Sequence, residues 1–500
     1  MSGSDVTVIH GGWIVGFDGE KHRIIRDGVV VVRGDVIEHV GKDWRGEADN
    51  EIDARRDLVI PGLINMHCHV GAHAGDRMVF DGGRRDLFRS GFLNYCSAKG
   101  VNGPTIHDHE TPEAGIRFSL ASLLKCGATT VVDMGGELGG GAASDGMGPM
   151  VESAGELGIR LYTSPGFASA QHYFDQGGRH RMQWDEAAGL RGLERAVEFI
   201  RNYDGAFDGR FRGILVPLEY HTASHELLRR TKEAAKDLGV GITTHCAESI
   251  VEVQDSIRET GRTPVSMLHD LGFLGPEVVL GHVLYTSGHS QIAFPYGDDL
   301  AKLASSGATV AHCPLVFARR GLYLESFQRY RDAGVNLAIG TDSYPQDILG
   351  ELKFAALMGK VADHDQEHAT TRDIFDAATL AGARALDRPD LGRLAPGAQA
   401  DIVVCDFGRL RSGPFLDPIK ALIQSCDGEV VKHVMVQGRM LVEDGRLTVW
   451  DEDKLLAEVR RSTDRAWARF ADYWPENEPI EEVFPAAYEA WQGAPDPTGR

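Results

Sequence analysis

Two histidines one residue apart, His67 and His69, close an apolar run, and alternate positions of an extended strand project to the same side. Both imidazoles can therefore reach one ion. A lone His-x-His pair is weak evidence, because histidines often serve as ordinary polar groups at strand ends. Three further segments change the weighing. Thr244-His245-Cys246-Ala247-Glu248 ends one β-branched run and opens a helical stretch at 249–259, Gly281-His282-Val283 ends the next, and Gly340-Thr341-Asp342-Ser343 ends the last. Strand ends bearing His, His, His and Asp in turn are hard to explain by packing, since ionisable groups there need a shared partner. Such a set suits a divalent ion, and its chemistry is metal-assisted attack by water. Glu248, three residues beyond His245, lies one helical step away and is placed to carry a proton.

The elements that position these residues are legible in outline. The first sixty residues alternate apolar and polar positions in short runs (6–9, 28–32, 36–40) separated by the turn pairs Asp18-Gly19 and Asp27-Gly28, which reads as a small antiparallel sheet. Similar runs return at 401–406, 430–436 and 440–442, so both chain ends are expected to build one sheet domain. Between them, eight apolar runs alternate with helical stretches: 58–60, 129–132, 160–163, 214–217, 240–244, 278–280, 308–311 and 335–339. Continuous apolar strands of this kind belong to a parallel sheet buried on both faces, and eight of them suggest a closed barrel. The expected fold is α/β, a distorted (β/α)8 TIM barrel with a small β-sandwich domain made by both ends. Its parts are residues 1–60 and 391–450 for the sandwich, 61–390 for the barrel, and 451–500 for a helical, acidic tail. An amphipathic helix at 454–470 reads as a packing or subunit-contact arm. The glycine-rich segment 135–148 (GGELGGGAASDGMG) has neither GxGxxG nor a Gly-Lys-Ser/Thr ending, and reads as a mobile active-site loop.

Composition narrows the partners. Against 52 basic residues stand 73 acidic ones, a net charge of −21, which repels a phosphate backbone, so no nucleic-acid partner is expected. No run approaches the roughly 20 apolar residues of a membrane span, and the opening MSGSDVTVIHGG lacks a secretion pattern; no membrane association and a cytoplasmic location are expected. The seven cysteines are scattered without CxxC spacing, and Cys68 and Cys246 adjoin candidate ligands, so they read as reduced, buried thiols. A small-molecule substrate and a homo-oligomer complete the expectation.

The ordered set resembles the amidohydrolase superfamily over nearly the whole chain, and more narrowly the branch of triazine hydrolases, guanine deaminase and related aminohydrolases. The resemblance rests on Pro61-Gly62 before the His-x-His pair, the His245-x-x-Glu248 spacing, Ala311-His312-Cys313-Pro314, and GRLAPGAQAD at 392–401. It implies that His67, His69, His245 and Asp342 hold the metal. An open position is left for a water whose pKa the ion lowers toward about 7. It also implies that Glu248 relays a proton to the leaving group, that His282 polarises the electrophilic carbon's substituent, and that Asp342 orients the nucleophile. Binuclear relatives carry a bridging lysine after the fourth strand, whereas here Ile214-Leu215-Val216-Pro217-Leu218-Glu219-Tyr220-His221 has none. One divalent ion is the inference, zinc by its donor set, with Fe(II), Co(II) and Mn(II) compatible. Glu219 and His221 keep an unusual second site open.

Other polar positions are ambiguous. His312 reads as readily as a substrate contact or support behind the site as it does as a catalyst. Gln171, His172, Tyr173 and Phe174 are pocket candidates by position, and a packed loop explains them as well. His107-Asp108-His109 lies among Gly103, Pro104 and Thr105 and reads as loop surface. The segments 71–94 and 97–112 are longer than in typical heterocycle deaminases. They suggest hydrolysis of an acyclic C–N bond, in an amide, urea or carbamate-like compound. The alternatives are deamination or dehalogenation of a nitrogen heterocycle (triazine, purine or pyrimidine-like) and, more remotely, a non-catalytic scaffold, which the complete donor set disfavours.

Overall fold

The computed structural model describes residues 5–71, 110–135, 147–175, 180–473, 479–488 and 491. The segment 136–146, the sequence 107–109 and nearly all of 71–94 and 97–112 lie outside them, as do the side chain of Phe174 and residues 492–500.

The first four strands are β1 (Val6–Phe17), β2 (His22–Arg33), β3 (Val36–Gly41) and β4 (Asn50–Pro61). They join β15 (Ile402–Cys405), β16 (Val431–Val436), β17 (Arg439–Glu443) and β18 (Arg446–Leu447) in one sheet ordered β18-β17-β16-β15-β4-β1-β2-β3. The ends of the chain thus meet where β4 pairs with β15, from Leu58 opposite Cys405 to Pro61 opposite Ile402. The N-terminal part is not purely antiparallel, because β4 pairs with β1 in parallel after residues 42–49 carry the chain back across the sheet.

The second sheet contains β5 (Leu63–Cys68), β6 (Ala128–Asp133), β7 (Arg160–Thr163), β10 (Phe211–Leu215), β11 (Gly241–Cys246), β12 (Val278–His282), β13 (Thr309–His312) and β14 (Asn336–Ile339), neighbours in that order. All its pairings are parallel. The ring is closed between its first and last strands. The amides of Thr341 and Asp342 donate to the carbonyl of His67 at 3.0 and 2.9 Å, and Asn65 Nδ2 donates to Thr341 Oγ1 at 2.8 Å. A two-stranded hairpin, β8 (Ala170–Phe174) with β9 (His180–Trp184), stands after β7.

One expectation is corrected. Residues 58–60 end β4 of the terminal sheet, and the first barrel strand is Leu63–Cys68, which itself carries His67. Both runs are apolar and fully buried, and only Pro61-Gly62 separates them, so hydrophobicity could not assign the break.

The strands are buried on both faces, as parallel strands in a barrel must be. Inside, Ile64, Met66, Val132, Ile214, Val216, Val279, Ala311 and Ala338 fill the interior together with Ala381, Ala383 and Leu391 from the chain beyond the last strand. Outside, the remaining strand residues pack against helices such as His225–Leu238, which buries Leu227, Leu228, Thr231 and Ala235. That helix starts because Ser224 Oγ accepts from Leu227 N, and it stops at Gly239, whose φ of 67° suits glycine. The late amphipathic helix is Glu452–Ala468; it packs on helix Pro112–Lys125 of the barrel, where Lys125 Nζ donates to Glu452 Oε2 at 2.7 Å.

Candidate metal centre and active site

The apolar plug fills the lower barrel, so the ionisable side chains gather at the carboxyl ends of the strands. The register of β5 shifts between Asn65 and Cys68. Such a bulge re-aims side chains, and it allows His67 and His69 to face the interior above Met66. His67 fits because its neighbours carry no side chain: a Cβ on Gly281 would lie 2.6 Å from His67 Cε1, and one on Gly340 would lie 2.7 Å from the His67 Cβ and carbonyl oxygen. The chain turns sharply at the other ends, with left-handed φ at Ala247 (51°), His282 (76°) and Asp342 (55°). Strained non-glycine backbone of this kind collects at functional sites.

The side chains converge. The His67 ring lies 5.4 Å from that of His69, 4.8 Å from His245 and 4.5 Å from His282. His245 Nε2 and His69 Nε2 are 3.2 Å apart, close to the roughly 3.3 Å separating two ligand atoms on a tetrahedral zinc with bonds of about 2.0–2.1 Å. Asp342 spans the group: Oδ1 lies 3.6 Å from His69 Nε2 and Oδ2 lies 3.6 Å from His282 Nε2. The Leu218 carbonyl, 2.6 Å from His245 Nδ1, can only accept, so this ring carries its proton on Nδ1 and presents Nε2 as a lone pair.

These residues fit a metal on an observation independent of any resemblance. Both ring nitrogens of His67 and of His282 are buried, yet neither ring makes a hydrogen bond. Burial pushes both imidazoles well below their ordinary pKa, with neighbouring histidines adding to the effect, so both are neutral. Neutral, buried nitrogens without a partner are costly; an ion would take a lone pair of His67, and a bound substrate would meet the His282 ring.

Glu248 sits beside the cluster, 9% exposed, with Oε1 3.8 Å from Arg320 Nη1. Burial, reinforced by the charge of Asp342 and opposed by Arg320, pushes its carboxyl well above the usual carboxylate range. Its backbone is fixed by a residue that sequence reasoning missed. The Glu252 carboxylate accepts from Ala247 N at 2.7 Å and from Glu248 N at 2.9 Å, while Ser249 caps the helix Ile250–Thr260. The Ser-x-x-Glu spacing of Ser249 and Glu252 is a helix-start signal and would have found it. Asp133 was also missed. Fully buried at the end of β6, it accepts from Val70 N, Gly135 N and Thr163 Oγ1 and so anchors the chain just past His69.

Other expected positions divide. His312 is buried but stands apart from the clustered donors, lining a crevice with Tyr323 and Phe327. Burial lowers its pKa to about 4. His172 joins Glu219 and His221 in a second group of donors. Gln171 and Tyr173 alternate with His172 on the hairpin and so face its other side. Cys68, Cys246, Cys313 and Cys405 are buried and free, as expected of reduced thiols.

The amidohydrolase family model matches residues 58–441, from the last turn of β4 through the whole barrel. The chain belongs to the amidohydrolase family. Among its relatives is the 5'-deoxyadenosine deaminase of Methanosarcina mazei, 27% identical over 449 residues, covering 89% of this chain and 95% of that protein. The 5-methylthioadenosine/S-adenosylhomocysteine deaminase of Natronomonas pharaonis is 30% identical over 425 residues, with coverages of 83% and 88%. In structure the amidohydrolase fold is shared with a zinc-bound adenosine deaminase from Xanthomonas campestris (TM-score 0.73, 21% identity, coverages 93% and 98%). It is shared also with the zinc complex of atrazine chlorohydrolase TrzN from Arthrobacter aurescens TC1 (TM-score 0.76, 24% identity, coverages 91% and 100%). Among the described residues, no helix is long and apolar enough to cross a membrane.

Proposed function

We propose that this amidohydrolase is an aminohydrolase that replaces the exocyclic amino group of a nitrogen heterocycle, of the aminopurine kind, with oxygen and releases ammonia. His67, His69, His245 and Asp342 would hold one ion, zinc by its donor set. Such an ion supplies the Lewis acidity that makes water nucleophilic near neutral pH.

The remaining work falls to side chains of this chain. Water adds to the ring carbon that bears the amino group, and the C–N bond then breaks. A proton from that water must reach the departing nitrogen. Glu248 is placed for the transfer: its carboxyl is buried, its backbone is pinned by Glu252, and its raised pKa allows it to hold and return a proton at neutral pH. Asp342 Oδ2 and the neutral His282 face one another, so His282 can polarise the substrate while Asp342 orients the attacking water.

The carrying observation is this buried Glu248 acid three residues beyond His245. The heterocycle is favoured over an acyclic amide or urea because the relatives above are deaminases of adenine-containing nucleosides. The loops that suggested an acyclic substrate lie mostly outside the described residues. The test is ammonia release by zinc-loaded protein across adenosine, 5'-deoxyadenosine, aminotriazines, a urea and a primary amide. Turnover of the amino-heterocycles is expected; turnover confined to the urea and amide would overturn the substrate class.

A further inference from the structure

Glu219 and His221 follow β10, at the position where a binuclear centre would draw its bridging group, yet they turn toward the hairpin rather than toward His67. His172 Nε2 and His221 Nε2 are 2.7 Å apart, and Glu219 Oε2 lies 3.4 Å from the first and 3.3 Å from the second. Three donor atoms of three side chains thus share one face. The two edges to the carboxylate oxygen are close to the roughly 3.3 Å expected between ligands of a tetrahedral zinc, while the two imidazole nitrogens stand at hydrogen-bond distance and would part slightly around an ion. Two imidazole nitrogens with a carboxylate oxygen completing the face are a cradle for a small cation.

The cradle is rigidly built. Glu219 bridges to His245 as a continuation of the sheet, and the short turn Tyr220–Thr222 that follows is anchored by Tyr220 Oη against Ser256 Oγ at 3.1 Å. On its other side, Ser169 N donates to Thr222 O at 2.8 Å, tying the turn to the base of the hairpin that carries His172. The far nitrogen of His221, Nδ1, faces Glu252 Oε1 at 3.8 Å. A carboxylate behind a ligating imidazole is a recurrent feature of metal sites, where it orients the ring. The same Glu252 fixes the backbone of Glu248, so the two groups of donors share one supporting carboxylate. The side chains are 8%, 18% and 15% exposed for His172, Glu219 and His221, enough for an ion to enter and too little for ordinary solvation of three polar heads.

The geometry points to a second divalent-cation site at His172, Glu219 and His221, separate from the His67–Asp342 centre and selective for ions of the zinc and cobalt class. Two imidazoles and one carboxylate are the donor set of an open zinc site, in which the fourth position is left to water or to a donor atom of the substrate. Hard cations such as magnesium, which demand an oxygen octahedron, do not fit it. The site does not depend on the proposed reaction, since it uses none of the residues assigned to the chemistry.

The test is a count of ions on the full-length protein. Chelator-stripped protein is titrated with cobalt(II), followed by absorption of the bound ion and by elemental analysis after desalting. About two ions per chain are expected for the natural protein, and about one for His172→Ala/His221→Ala, which should keep the spectrum of the remaining centre. His245→Ala should retain about one ion, now with the spectrum that the double variant lost. Glu219→Gln, a milder change that preserves shape, should weaken the second binding step and leave the first unchanged. Equal ion counts in the natural protein and in a folded double variant would overturn the site and leave the triad a hydrogen-bonded cluster. A folded His245→Ala protein that binds no ion would overturn it equally.

Discussion

Glu248 is the proton carrier of the proposed reaction, a buried acid beside the cluster whose carboxyl is pushed well above its usual range and to which no ligand role is assigned. Glu248→Gln keeps the volume and removes the titratable group. Turnover is expected to fall by roughly 10²–10⁴-fold with ion content unchanged. If the residue served only the start of the helix Ile250–Thr260, the cost would be about 0.3–1 kcal/mol of stability and turnover would stay near normal, so steady-state rates beside melting curves separate the two. His282→Asn should likewise keep the ion while losing rate. The types and order of these residues were legible in the sequence because each ends a β-branched run. Glu252 was marked only by its Ser-x-x-Glu helix-start spacing and Asp133 by no local signal, because the fold and not the neighbouring sequence decides which amides each carboxylate holds.

At the scale of elements, the site is made by where strands stop. Gly281 and Gly340 leave room for the His67 ring and backbone, and the bulge in β5 turns that ring inward. Gly340→Ala forces a Cβ against backbone that closes the barrel, which no side-chain rotation relieves. A loss of about 1–3 kcal/mol is expected in denaturant unfolding, together with weaker zinc binding, as His67 is pushed from its place. Unchanged affinity and stability would show that the strand end has slack the packing does not suggest. The eight-strand count was readable from alternation of apolar runs with helices, since seven of the eight runs fell on barrel strands. The miss, at 58–60, came from two buried strands abutting at Pro61-Gly62, where the hydrophobic pattern has no break and only the hydrogen bond from Gly62 N to Asp401 O marks the change of sheet.

Across the whole molecule, the two sheets are joined by a buried ion pair. Arg160 Nη2, at the start of β7, lies 3.3 Å from Asp401 Oδ1, and both side chains are almost fully buried. Asp401 Oδ1 also accepts from Gln437 N at 2.8 Å, so one carboxylate holds the barrel to the strands of the C-terminal part. Asp401→Ala strands a buried guanidinium and should cost about 3–5 kcal/mol in denaturant unfolding. The paired Arg160→Met/Asp401→Leu change should recover most of that loss. A second joint is His22 of β2, whose Nε2 lies 3.1 Å from Thr379 Oγ1 beneath the barrel. Burial, with the nearby charge of Arg393, lowers its pKa from 6.5 to about 4. Between those values the unfolded chain binds a proton that the folded one does not. Stability is therefore complete above pH 6.5 and falls as pH drops toward 4, by at most about 3 kcal/mol from this group. His22→Gln should flatten that part of the stability profile, and an unchanged slope would place the acid sensitivity elsewhere.

The proposed chemistry requires an ion held at the strand ends, and the most direct measurement is ammonia release from an aminopurine nucleoside as zinc is returned to chelator-stripped protein. Activity is expected to be absent without metal, to rise with occupancy, and to be lost in a folded His245→Ala protein at any zinc concentration. Full turnover by metal-free protein, or by His245→Ala, would contradict it.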